Sequence, residues 1–145
     1  MISKAKERDL QELSILIFKY AETCPLRLPT PSLKKVIHAF QKCLDTGVIF
    51  KAERKERIVG LLALYEGEFW YSHSKFLGDM AYFVEPSSRS SRFASHLLKS
   101  AKEYATMRDL PLLMGVTHGG DVARKDHFYA RHGMDRIGGI YCRGM

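Results

Sequence analysis

The sequence predicts an α/β fold, a mixed central sheet with helices on both faces. Three observations lead there. Apolar residues recur at helical spacing in four segments, with short strand-like runs between them. The three middle runs follow one another through polar connections, as hairpin neighbours do, and the later ones are separated by helices, as crossovers require. The order is strand, two helices, three strands, helix, strand, helix, and a closing strand or hairpin.

Ile2 to Ala5 can form the first strand. Asp9 suits a helix N-cap, with Glu12 completing a capping-box-like pair. Leu10, Leu13, Ile17 and Tyr20 then share one helical face. Pro25, Pro29 and Pro31 mark a loop, and Thr30-Pro31 predicts the start of a second helix. That helix carries Leu33, Val36, Ile37, Phe40, Cys43 and Leu44 and stops at Gly47. Val48 to Ala52 and Ile58 to Tyr65 read as strands joined by the charged turn Glu53 to Arg57. Gly60 marks a bulge or a close backbone approach. Glu66 to Lys75 is a polar and aromatic connection, and Phe76 to Val84 is the next strand. Phe93, Leu97, Ala101, Tyr104 and Ala105 predict a third helix. Leu112 to Val116 is a strand, Thr117 to Gly120 a loop, and Asp121 caps a helix that ends at Gly133. Met134 to Arg136 and Ile140 to Arg143 read as closing strands around Gly138-Gly139.

The chain has 145 residues, enough for one domain, 1–145, with its own core. No apolar run approaches the ~20 residues that span a bilayer. Charge at Lys4, Lys6, Glu7, Arg8 and Asp9 stands where a secretory signal would be apolar, so a cytoplasmic protein with no membrane association is expected. Cys24, Cys43 and Cys142 have no metal-ligand spacing, and their odd number argues against a disulfide framework. The histidines show no ligand pattern either, so no metal is expected. The net charge of +7 suits an anionic partner: nucleic acid, a phosphorylated cofactor or an acidic protein.

One stretch organises the rest. Val84-Glu85-Pro86 ends a buried strand, and Ser87 to Arg92 is a basic, small-residue loop that opens the third helix. The free N–H groups and dipole of that helix favour a phosphate, and Arg89 and Arg92 add positive charge. The same residues also fit an ordinary strand–helix connection.

The chain resembles the GNAT N-acetyltransferase family along nearly its whole length. Ile2…Ala5…Asp9-Leu10…Leu13 is similar to the family's opening strand and helix, and Val48–Ala52 with Ile58–Leu61 to its paired strands. Val84-x-Pro86-x-x-Arg89-x-x-Arg92-x-Ala94-x-x-Leu97-Leu98 resembles its acetyl-CoA loop, with Arg92 and Ala94 at positions usually held by glycine. Phe128-Tyr129-Ala130-Arg131-His132-Gly133-Met134 resembles its late helix. The serine-rich loop is also similar to bacteriophage members. The resemblance implies acetyl-CoA as cosubstrate and transfer of its acetyl group to a primary amine of a small molecule or protein. Backbone groups around Tyr82, Phe83 and Val84 would pair with the pantetheine arm. The N–H groups of Ser90, Ser91, Arg92, Phe93, Ala94 and Ser95 would hold the pyrophosphate, and Arg89 or Arg92 would reach a phosphate. Tyr129 would be the general acid. His118 and Asp79 are the leading candidates for the base, with His73, Glu66 and Glu68 behind them; each also reads as structural. A second reading is a binding module that has lost catalysis and engages an acidic protein or nucleic acid. The closing strands could contribute to a homodimer.

Overall fold

The chain is described from a computed structural model covering residues 1–115 and 120–145. Its strands are β1 (Ile2–Lys4), β2 (Val48–Arg54), β3 (Arg57–Glu68), β4 (Lys75–Val84) and β5 (Leu112–Leu113). Its helices are α1 (Leu10–Thr23), α2 (Leu33–Thr46), α3 (Phe93–Arg108) and α4 (Val122–Arg131). The strands lie in the order β1-β2-β3-β4-β5; the first four are antiparallel, and β5 joins β4 in parallel after the α3 crossover.

The sheet is mixed, with helices on both faces as the sequence predicts. Leu13 and Leu16 of α1 and Phe40 and Cys43 of α2 pack with Leu61, Ala63 and Phe83 on one face. Leu97 and Ala101 of α3 pack with Leu62, Leu64 and Val84 on the other. Successive β3 side chains thus alternate between two apolar layers, which is why 58–64 reads as an unbroken apolar run. Each fully buried leucine contributes about 1.5–3 kcal/mol.

Local details refine several expectations. Asp9 does not cap α1: its carboxylate accepts the Lys6 N–H at 2.8 Å and the Lys51 ammonium at 3.1 Å. Glu12 instead reaches β3 and accepts the Ile58 N–H at 2.8 Å. Helix α2 starts at Leu33 rather than at Pro31, because Ser32 supplies the cap, its hydroxyl accepting the Lys35 N–H at 3.4 Å. Gly47 ends α2, but with a φ of −139° it needs no left-handed conformation. Its need for glycine is steric: a Cβ there would lie 2.2 Å from the Leu64 carbonyl oxygen. The β3–β4 hairpin is longer than the apolar pattern predicts, since polar Glu66 and Glu68 stay in register with Leu77 and Lys75.

The closing strands are not formed. After α4 the described residues 132–145 contain no strand. Arg136 explains the departure: it pairs with Asp126 of α4 at 2.9 Å and donates to the Gly138 carbonyl at 3.2 Å. The first contact ties the segment to the helix and the second folds it on itself, rather than along the β5 edge, and Ile137, Ile140 and Tyr141 are exposed.

Candidate active site

Strands β4 and β5 pair only through Leu77–Leu112 and Gly78–Leu113, then part. Asp79 stands at the fork. Its Oδ1 accepts the Gly115 N–H at 2.9 Å, so a side chain bridges the strands where their backbones no longer meet. Just beyond, the β3–β4 register slips between Ala63 and Leu64, because Met80 is an extra residue on β4. This bulge resets the alternation of the strand. The Glu85 N–H donates to Val59 of β3 at 2.8 Å, so Phe83 also turns its backbone toward β3, whereas Tyr82 and Val84 turn theirs to the open side. Of the three residues expected to pair with an extended arm, two therefore present backbone groups and Phe83 does not. Phe83 instead packs edge-on with Tyr20 of α1, ring centroids 5.7 Å apart.

The loop after β4 is held from within. Arg89 donates from Nε to the Val84 carbonyl at 3.0 Å and lies over the Phe83 ring at 5.5 Å. Buried Glu85 is ion-paired with Lys19 of α1, with Arg57 3.6 Å away. The Ser91 hydroxyl donates to the Ser88 carbonyl at 2.5 Å and accepts the Phe93 N–H at 3.2 Å. The N–H of Ser91 itself goes to the Ser88 carbonyl at 3.1 Å. Two of the six N–H groups expected to face a phosphate are thus used inside the loop. Those of Ser90, Arg92, Ala94 and Ser95 have no acceptor among the described residues. Arg92 caps α3 with φ −85° and ψ 11°, a conformation open to any residue, so its side chain imposes no backbone strain.

Helix α4 brings Tyr129 to the fork. Asp121 caps this helix, its carboxylate accepting the Arg124 N–H at 3.1 Å. Phe128 packs between Tyr82, at 6.4 Å between centroids, and His132, at 4.7 Å. Burial, and then the nearby Asp79 carboxylate, push the Tyr129 phenol well above its ordinary range. Burial likewise raises the Asp79 carboxyl, against the lowering effect of the Gly115 N–H. Burial, then the Tyr129 charge, raise Tyr82, whose hydroxyl donates to the Ala94 carbonyl at 2.6 Å and ties β4 to the first turn of α3.

Asp79 and Tyr82 of β4 therefore both lie close enough to Tyr129 of α4 for their charges to interact, and β4 runs on from them to the loop. His118 lies outside the described residues. The other base candidates do not join the site. His73 is solvent-exposed and contacts Glu68 at 3.2 Å, while Glu66 pairs with Arg108 at 3.4 Å and Lys75 at 3.8 Å. All three belong to the hairpin end of the sheet. One neighbour was not anticipated: Lys125, one turn before Tyr129 on α4, half-buried and lowered by burial and then by the charge of Arg89. Its i, i+4 spacing from Tyr129 was the available signal.

The sequence matches the Acetyltransferase (GNAT) family over residues 14–134, and the chain belongs to that family. Solved structures share its fold. A ribosomal-protein-alanine N-acetyltransferase from Brucella melitensis biovar Abortus 2308 aligns with a TM-score of 0.74 and 17% identity, covering 100% of this chain and 99% of that one. A predicted acetyltransferase with acetyl-CoA from Clostridium acetobutylicum aligns at 0.78 and 16%, covering 99% and 95%. An aminoglycoside acetyltransferase from an uncultured soil metagenomic sample, in complex with sisomicin, aligns at 0.70 and 16%, covering 100% and 95%. No curated protein matches significantly. These three are bacterial or metagenomic and lend no support to a bacteriophage-type member. GNAT acetyltransferases use acetyl-CoA. Among the described residues no helix is long and apolar enough to cross a membrane, and no group of His, Cys, Asp or Glu could hold a metal ion.

Proposed function

We propose that this chain is an N-acetyltransferase that moves the acetyl group of acetyl-CoA to a primary amine at the β4–β5 fork. The observation that carries the reading is the fork itself: Asp79 and Tyr129 lie near one another at its base, Tyr82 turns its backbone to the open side of the arm, and free N–H groups stand at its end. The residues present fit the cosubstrate. The outward backbone groups of Tyr82 and the outward N–H of Val84, whose carbonyl is held by Arg89, suit an extended amide arm, and the free N–H groups of Ser90, Arg92, Ala94 and Ser95 suit a diphosphate. Bound acetyl-CoA supplies a thioester, whose carbonyl carbon takes up the amine and whose sulfur leaves.

Asp79 is positioned to accept the proton that the amine loses. Its raised pKa makes it a better base than an exposed carboxylate, and the Gly115 N–H holds its Oδ1 in place. Tyr129 is positioned to donate to the departing sulfur. Burial, and then the Asp79 charge, keep the phenol protonated and so able to donate.

The alternative binding module drew on the net charge of +7 together with Arg92 standing where glycine is usual. The ordinary φ of Arg92 removes the second of these motives, and the charge alone also suits a phosphorylated cosubstrate. The acceptor, small molecule or protein, is open to a panel of amines assayed by release of the CoA thiol. Thiol release with at least one amine, together with calorimetric binding of acetyl-CoA, is expected. No binding at millimolar acetyl-CoA overturns the reading.

A further inference from the structure

The loop after β4 hangs from a buried charge that the proposed chemistry does not use. Glu85 directly follows β4, and its side chain is 7% exposed. A carboxylate is costly to bury unless it is paired. Two cations reach its Oε1: Lys19 of α1 donates to it, and Arg57 at the start of β3 stands 3.6 Å away. Arg57 is 67% exposed and beyond hydrogen-bond reach, so Lys19 is the partner that counts. The pair joins residues 66 apart in the chain. Tyr20, beside Lys19, packs edge-on against Phe83, so α1 grips the end of β4 with two neighbouring side chains.

The backbone of the same residue starts the loop. The Glu85 N–H donates to the Val59 carbonyl at 2.8 Å, which fixes it to β3, and its carbonyl accepts the Ser88 N–H at 2.9 Å, which closes the turn Pro86–Ser88. The Ser88 carbonyl in turn accepts the Ser91 N–H at 3.1 Å and the Ser91 hydroxyl at 2.5 Å, and that hydroxyl accepts the Phe93 N–H at 3.2 Å. One run of bonds leads from Lys19 through Glu85, Ser88 and Ser91 to the first residue of α3. The free N–H groups of Ser90, Arg92, Ala94 and Ser95 are carried on it. Electrostatics alone gives no reason for a carboxylate at the root of an anion-binding loop, since it opposes the anion. We infer that Glu85, held by Lys19, is a positioning residue: the ion pair fixes the loop so that its N–H groups stay aligned for the diphosphate of acetyl-CoA. This inference rests on the acetyl-CoA reading.

Calorimetry with acetyl-CoA, and initial rates with an accepted amine, separate positioning from a simple effect of charge. The variants are Lys19→Met, Glu85→Gln, the two together, and Lys19→Arg, with urea denaturation as the check on folding. The double variant guards against a single change that fails to fold, because replacing both partners leaves no buried charge unpaired. Glu85→Gln removes a negative charge beside an anion site, so a residue acting through its field would tighten binding when changed in this way. On that account the double variant, which keeps the local net charge, would bind as the wild type does. Positioning predicts otherwise. Both single variants and the double should bind acetyl-CoA about tenfold more weakly, the worth of one charge-assisted bond, without adding to one another. KM for acetyl-CoA should rise in step while kcat at saturation is unchanged, and Lys19→Arg should restore most of the affinity. Tighter binding by Glu85→Gln, or wild-type affinity in the double variant, overturns the inference. So do a fall in kcat with KM unchanged, and a Lys19→Arg variant as weak as Lys19→Met. Equal affinity in the wild type and every variant overturns it while the acetyl-CoA reading stands. If the wild type itself does not bind acetyl-CoA at millimolar concentration, that reading falls and the inference falls with it.

Discussion

Arg92→Gly is the most informative change in the loop, because it restores the residue usual in the family. Two physical accounts of that glycine predict opposite results. If it is needed for backbone conformation or close approach, restoring it should tighten cofactor binding. The observed φ of −85° and ψ of 11° argue otherwise: the wild-type backbone already holds a conformation that any residue adopts, and the Arg92 N–H has no acceptor among the described residues. Glycine then adds freedom to the unfolded chain, costing about 0.4–1 kcal/mol. A few tenths return because glycine is a better N-cap than a long side chain. The net loss lies between zero and about 1 kcal/mol, a fall in Tm of no more than about 4 °C for a domain of this size. Acetyl-CoA affinity should stay the same or weaken by up to about tenfold through the lost guanidinium. Differential scanning fluorimetry and calorimetry read both quantities. Acetyl-CoA binding tightened tenfold or more would refute the reasoning and show that the arginine obstructs the phosphate.

Asp79→Asn tests the fork through pH. The folded-state pKa of Asp79 is raised above its ordinary 3.8, so between the two values the native state binds more protons than the unfolded one. Its contribution therefore makes stability fall as pH rises from about 3.8 through the raised value, and urea denaturation across that window should show this component in the wild type and not in the variant. An identical pH profile would mean that Asp79 is not buried as described. Gly47→Ala should cost about 1–3 kcal/mol, because its Cβ meets the Leu64 carbonyl at 2.2 Å and backbone must move. An unchanged urea midpoint would contradict the close packing of α2 on β3.

Most of the architecture was legible because β2 and β3 are buried on both faces and α1, α2 and α3 each bury one face. The run from Ile58 to Leu64 and the spacing of Phe40 and Cys43 announce themselves. Glu66 and Glu68 hid the outer part of the hairpin, since backbone pairing with Leu77 and Lys75 keeps polar residues in a strand that no apolar pattern marks. The tail misled for the converse reason: Ile137, Ile140 and Tyr141 have the composition of strands, but Arg136 is committed to Asp126 of α4. At the site, Tyr129 and the loop were visible through resemblance. The Asp79–Gly115 bridge was not, because it exists only where two strands part, and the bulge at Met80 that turns Tyr82 outward leaves no mark in composition. His73, Glu66 and Glu68 had the right chemistry at the wrong end of the sheet.

The central claim is that the β4–β5 fork is an acetyl-transfer site with Tyr129 as its acid. Tyr129→Phe tests it most directly, because it removes one hydroxyl and keeps the ring. Acetyl-CoA affinity by calorimetry should be unchanged, while turnover with an accepted amine should fall by about 10²-fold or more, the usual share of a general acid. Turnover equal to that of the wild type would contradict the account.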